Sequence, residues 1–227
     1  MTADGTDLSG RAALVTGVGG PVGAGLARAL VDAGARVAVH GDDLEHVDVI
    51  LTTARDELGT DVEIVVHAAL PAEATRSLPF EEVTDEEWDR VWERGMRTTL
   101  ALLQGAFPAM RDGGRGRFVF VTPTVSMSGA PGLVPLTAFV EGQRLLAKSA
   151  ARQWGRYGIT VNCIAPAPDL VVAGTAAGAV SLAAPALGGP GDPRDDLGPV
   201  VTFLASDAGH FVTGVTVCAD GGVWMAP

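Results

Sequence analysis

Lysine and tyrosine are almost missing from this chain of 227 residues: Lys148 and Tyr157 are the single examples of each. Any chemistry that needs a phenol beside an ammonium group therefore has one candidate of each kind. Cysteine is scarce too. Two of them cannot build a disulfide framework, so a reducing cytoplasm is the expected location. Positive charge is short: 16 basic against 27 acidic residues leave a net charge of −11. A surface of that sign repels phosphate backbones, which sets nucleic acid aside as a partner. Uninterrupted apolar helices are also lacking. The uncharged stretches 118–140 and 170–191 are long enough to span a bilayer, but the first carries Pro123, Pro131 and Pro135. The second is mostly Ala and Gly with Pro185, so no membrane segment is expected. Residues 1–11 are acidic and polar, unlike a secretory signal. No His, Cys, Asp and Glu residues show metal-ligand spacing, so no metal is expected.

What is present is 47% apolar residues, enough for one folded domain over residues 1–227. Short apolar runs alternate with helical patterns. Strands are expected at 12–16, 36–40, 62–66, 118–122, 159–164 and 215–219. Helices are expected after the glycine-rich stretch 17–25 as far as residue 33, then at 44–58, 84–110, 136–156 and 197–206. Gly34 fits a helix C-terminus, and Thr84 with Glu87 forms a capping box. Strand alternating with helix implies an α/β fold with a parallel, doubly wound sheet of Rossmann type. The first strand, its glycine loop and the helix after it form an arrangement that cradles a pyrophosphate.

The glycine loop alone is weak evidence, because the strict G-x-G-x-x-G string is absent. The second half is more specific. Ile159-Thr160-Val161-Asn162-Cys163-Ile164-Ala165-Pro166, Phe203-Leu204-Ala205-Ser206-Asp207, Val212-Thr213-Gly214 and Asp220-Gly221-Gly222 together resemble the short-chain dehydrogenase/reductase family. The family's T-G-x-x-x-G-x-G loop falls on Thr16 to Gly23, and the resemblance runs from about residue 8 to residue 223. It implies NAD(P)-linked carbonyl/alcohol chemistry and dimers or tetramers. It also implies an outer strand and helix missing between the second and fourth strands, since the segment between Val39 and His67 is short for the family. The substrate lid, about 169–190, is shortened.

The family's reaction uses a tyrosine as proton donor and a lysine that lowers its pKa and holds the nicotinamide ribose. A serine binds the substrate oxygen, and an asparagine supports a water relay. Carried over residue by residue, the tyrosine and lysine positions are Leu136 and Val140, the serine position is Pro123 and the asparagine position is Gly95. All four are lost, which implies a degenerate member with no catalytic residue of the family pattern. The weak substitutes are His67 at a strand end and the hydroxyls of Thr122, Thr124, Ser126 and Ser128. Glu141, one residue past the lost lysine, is expected to be a solvated charge.

On the cofactor side, the candidates are Gly17, Gly19, Gly20, Gly23, Asp42 and Ala68. The loop's middle glycine is Pro21, and Leu70 adds bulk where the family has glycine. Asp42 suits a ribose diol and would repel a 2′-phosphate, so NAD(H) is preferred over NADP(H). Cys163 and Cys218 are expected to be buried thiols on neighbouring strands. Trp88, Trp92 and Trp154 lie on the two helices through which family members pair. The leading reading is a non-catalytic subunit that forms a homo-oligomer or pairs with an active homologue. The alternatives are an NADH-dependent ketoreductase with another proton donor, and a non-redox dehydratase, lyase or cyclase.

Overall fold

The computed structural model describes residues 5–172 and 183–225. Six strands form one parallel sheet: β1 (Ala12–Thr16), β2 (Arg36–His40), β3 (Ile64–His67), β4 (Gly116–Val121), β5 (Ile159–Pro166) and β6 (Thr216–Ala219), in the spatial order β2-β1-β3-β4-β5-β6. Among the described residues, β2 pairs only with β1 and forms one edge. The central strands β1, β3, β4 and β5 are buried along nearly their whole length, as a parallel sheet covered on both faces requires.

Period-two alternation sends side chains to two cores. Leu14, Val65, Phe118, Phe120 and Cys163 face α2 (Val47–Leu58), α4 (Thr98–Asp112) and α6 (Val134–Trp154). Val15, Ile64, Val66, Val119 and Ile164 face α1 (Pro21–Asp32) and α7 (Gly198–Ala205). Each fully buried Phe or Leu contributes about 1.5–3 kcal/mol through its apolar area. Helix α1 stops where expected: Gly34, with φ of +94°, lets its own N–H reach Val31 O and the Ala35 N–H reach Leu30 O.

Three expectations need correction. The strand expected at 62–66 is shifted, so that His67 is its last residue. The helix expected at 84–110 comes in three pieces. After α3 (Asp85–Val91), opened by the Thr84/Glu87 capping box, the turns over Trp92–Arg97 widen to π-helical pitch before α4 begins. A π-turn accommodates one extra residue in a helix, and Gly95 sits inside this one. Cys163 is buried as expected, but Cys218 lies exposed on the edge strand β6, where no further strand covers it among the described residues.

A third apolar cluster decides what the carboxyl end of the sheet can do. Ala74, Val125 of the short α5 (Val125–Ser128) and Val172, which follow β3, β4 and β5, pack with Val91 of α3 and with Leu133, Leu136, Phe139 and Val140 on or just before α6. Of the expected lid, residues 173–182 lie outside the described residues; residues 168–170 form a single tight turn. No described helix is long and apolar enough to cross a membrane.

Candidate functional site

The glycine loop runs from the end of β1 into α1. Gly17 has a φ of +84°, and a Cβ built on it would stand 2.3 Å from Ala69 N and 2.4 Å from the carbonyl carbon of Ala68. Gly23 is equally constrained, since its Cβ would meet Gly17 O at 2.2 Å. These glycines let β1, β3 and α1 close on one another. Gly20 caps α1 with Pro21 as its first residue, a position where the missing N–H costs the helix nothing. Gly19 lies against the carboxylate of Asp42, whose Oδ2 is 2.2 Å from where a Cβ would stand.

Beyond the ends of β2 and β3 opens a cavity of about 650 Å³. Asp42, Asp43 and Glu45 form one side. Glu93, Arg94 and Arg97 of the π-turn form another, with Leu44, Ala69, Leu70 and Phe139 as apolar wall and His67 among the lining groups. Arg94 pairs with Glu73 at 3.2 Å and Arg97 with Glu93 at 3.4 Å, so the basic groups of this rim are already engaged by carboxylates. The structure thus brings Asp42, Gly19 and His67 to one region, and packs Gly17 against Ala68.

His67 is held on both ring nitrogens. The parallel register sets it beside Thr16, whose Oγ1 is 2.8 Å from Nδ1. Its Nε2 faces Thr99 Oγ1 at 3.4 Å. The Thr99 hydroxyl donates to Gly95 O at 2.8 Å and accepts from Gln143 Nε2 at 3.0 Å, so the Nε2–H tautomer satisfies every partner. The edge of Phe120 closes the site, with ring centroids 5.7 Å apart. Burial alone pushes the imidazole pKa from 6.5 down to about 4, so the ring is neutral at pH 7 and carries no proton to give readily.

The hydroxyls near Pro123 are committed as well. Thr122 donates to Ile164 O at 3.2 Å, Thr124 to Pro166 O at 3.3 Å and Ser126 to Pro123 O at 3.2 Å. Ser128 donates to the carbonyls of Val125 and Gly129. Glu141 is solvated and pairs with Arg144.

Leu136 and Val140 are fully buried in the third apolar cluster. Gly95 faces the ring of Phe139, where a Cβ would stand 2.5 Å from Cε2 and 2.9 Å from Cζ. The aromatic ring fills the space that a side chain at position 95 would need. Among the described residues no group of three or more His, Cys, Asp and Glu could hold a metal ion.

The family model for enoyl-(acyl carrier protein) reductase matches residues 26–224. The chain belongs to the short-chain dehydrogenase/reductase family. The chain is 28% identical to the 3-oxoacyl-(acyl-carrier-protein) reductase of Vibrio cholerae over 247 residues, covering 96% of this chain and 99% of that one. It is also 28% identical to the gluconate 5-dehydrogenase of Gluconobacter oxydans, covering 96% of each. A solved structure described as a short-chain alcohol dehydrogenase from Sinorhizobium meliloti superimposes with a TM-score of 0.82 at 27% identity, covering 96% of this chain and 98% of that one. The alignment with the Vibrio reductase is longer than the chain itself, so several of its positions are gaps here.

Against the family's NAD(P)-linked reaction, the residues present fit half of the cofactor. The cavity, Asp42 and the glycine loop match a nucleoside and its phosphate. The positions to which the resemblance carries the ribose-holding cation and the proton donor are Val140 and Leu136, both buried in the third apolar cluster. Sequence reading missed Phe139, Thr99 and Gln143. Gln143 left a signal, being the one polar side chain on the buried stripe that holds Leu136, Phe139, Val140, Ala147, Ala150 and Ala151.

Because the folded state holds His67 neutral, its contribution to stability is complete above pH 6.5 and is lost as pH falls from 6.5 towards 4. The loss amounts to about 3 kcal/mol. NMR titration should find the His67 pKa close to 4, and urea unfolding of His67→Asn should lose this part of the acid dependence. A His67 that titrates near 6.5 in the folded protein would contradict the assignment.

Proposed function

We propose that this chain is a non-catalytic member of the short-chain dehydrogenase/reductase family that works through its surfaces, as a homo-oligomer or as a partner of an active homologous subunit. One observation carries the reading. The four positions that would move the proton hold Gly95, Pro123, Leu136 and Val140, and Phe139, Leu136 and Val140 fill the space with fully buried apolar side chains. A nicotinamide cofactor supplies hydride to a carbonyl carbon, but the oxygen must receive a proton at the same time, and loss of a positioned acid costs about 10²–10⁴-fold. Here the nearest candidates are tied up. His67 is neutral between Thr16 and Thr99, and the Thr122 and Thr124 hydroxyls donate to backbone carbonyls. That weighs against the reading as a ketoreductase with another proton donor, and no observation favours a non-redox enzyme.

Asp42 at the cavity mouth favours NAD(H) over NADP(H), since a carboxylate accepts ribose hydroxyls and repels a 2′-phosphate. A reducing cytoplasm suits the free thiols Cys163 and Cys218.

The surface offered for pairing is aromatic. Trp88 and Trp92 stack with planes 8° apart and centroids 5.9 Å apart, and are 37% and 42% exposed. Trp92 reaches across to α6, where a Cβ on Gly142 would be 3.7 Å from its ring. Leu145, on the same helix, is 66% exposed. Solvent-facing indoles and an exposed leucine on the neighbouring helix are the composition of a protein contact. Trp154 is different: it is buried against Phe107, with centroids 4.8 Å apart, and belongs to the core.

The purified chain should consume no NADH above the protein-free rate with quinones, β-ketoacyl thioesters or small cyclic ketones. Saturable turnover with any of them would overturn the proposal. Light scattering should give an oligomeric mass that falls to the monomer in Trp88→Glu/Trp92→Glu while the far-ultraviolet dichroism is kept. An unchanged mass would remove this face from the interface.

A further inference from the structure

We infer that this chain holds the adenosine half of a dinucleotide and gives the nicotinamide half no binding energy, so that an adenine nucleotide without nicotinamide is its sufficient ligand. The inference rests on the proposed loss of catalysis and extends it from chemistry to recognition.

The two ends of the site differ sharply in what they offer. At the end of β2, Asp42 lines the cavity and rests its carboxylate against Gly19. That contact joins the cavity directly to the glycine loop and the N-terminus of α1, a helix of 12 residues with no acidic residue in its first turn. A nucleoside whose diol donates to Asp42 would carry its phosphate towards that loop, where the unpaired N–H groups of the first turn accept negative charge. The cavity itself holds Asp42, Asp43, Glu45, Glu73 and Glu93 against Arg94 and Arg97, both paired at carboxylates. That balance suits a neutral base and hydroxyl donors, not a second anionic group. The wall of Leu44, Ala69 and Leu70 gives a flat ring an apolar surface.

At the other end the described residues offer no free polar side chain at the positions that the resemblance assigns to the second ribose. The position that holds the nicotinamide ribose in the family is Val140, fully buried beside Leu136 and Phe139. Threonine hydroxyls along the route are already donated to Ile164 O and Pro166 O. Hydrogen bonds to a second ribose would have to break these or push into a packed apolar cluster. A ligand that ends at the second phosphate therefore loses no interaction with the described residues.

Isothermal titration of the full chain with NAD⁺, ADP-ribose and nicotinamide mononucleotide tests this. The Kd for ADP-ribose should lie within about threefold of that for NAD⁺, a difference of well under 1 kcal/mol, and nicotinamide mononucleotide should give no saturable heat. Asp42→Asn should weaken NAD⁺ and ADP-ribose alike, by about tenfold, as expected for losing a hydrogen bond to a charged group. Asp42 is exposed on a loop, so its substitution leaves the fold intact, and unliganded thermal unfolding provides the check. NAD⁺ binding more than about tenfold tighter than ADP-ribose would overturn the inference. So would saturable binding of nicotinamide mononucleotide, or no binding of any of the three. None of these outcomes decides the absence of turnover, which the NADH consumption assay reads separately.

Discussion

The ring of Phe139 occupies the space beside Gly95 that any side chain there would need, and the apolar packing at the carboxyl end of the sheet is built around that contact. A side chain at position 95 would overlap the ring at 2.5 Å. The ring can sit there because Gly95 is bare and because the helix widens to π pitch around it. Once it does, Leu136 and Val140 find apolar neighbours on every side and close over the space with Val91, Val125 and Val172. These aliphatic side chains seal a region where polar groups would need water or partners. Close-packed interiors penalise any single return to a polar residue, since its neighbours are shaped to the present filling.

The sheet that carries this cluster has two further cores, one on each face. Register between β1 and β3 aligns Thr16 with His67, and alternation feeds two separate cores on the sheet's faces. Gly17 and Gly23 allow β1, β3 and α1 to approach. Those requirements are conformational and persist whether or not a reaction occurs. The cavity beside Asp42 also lies outside the third cluster for most of its lining.

Much of this was legible in the sequence. The strands announced themselves as short apolar runs, Gly34 and the Thr84/Glu87 pair marked helix ends, and the tail strings of residues pointed to the family. The losses proposed at Gly95, Pro123, Leu136 and Val140 follow from the spacing of the family's motifs along the chain. Their consequence does not, because Phe139 and Gly95 are far apart in the chain and meet only through the packing of α6 against the π-turn. The same limit explains Cys218: its strand pattern resembles that of Cys163, but exposure depends on being the last strand of the sheet. Trp88, Trp92 and Trp154 all sit at helical spacing, and only tertiary packing separates the two stacked on the surface from the one stacked on Phe107. His67 was visible as a titratable group at a strand end. Its partner Thr99, and Gln143 that donates to Thr99, come from two other helices.

That Gly95 and Phe139 form one packing unit is tested most directly by a double-mutant cycle. Urea unfolding would be measured for the parent chain, Gly95→Asn, Phe139→Val and the combination. Val ends at Cγ and removes the ring atoms that crowd position 95. The account predicts that Gly95→Asn alone costs about 1–3 kcal/mol through overpacking. In the Phe139→Val background that cost should shrink by at least about 1 kcal/mol, the coupling of residues in contact. Additive losses within about 0.5 kcal/mol would show that the two positions do not share the space, and would contradict the account.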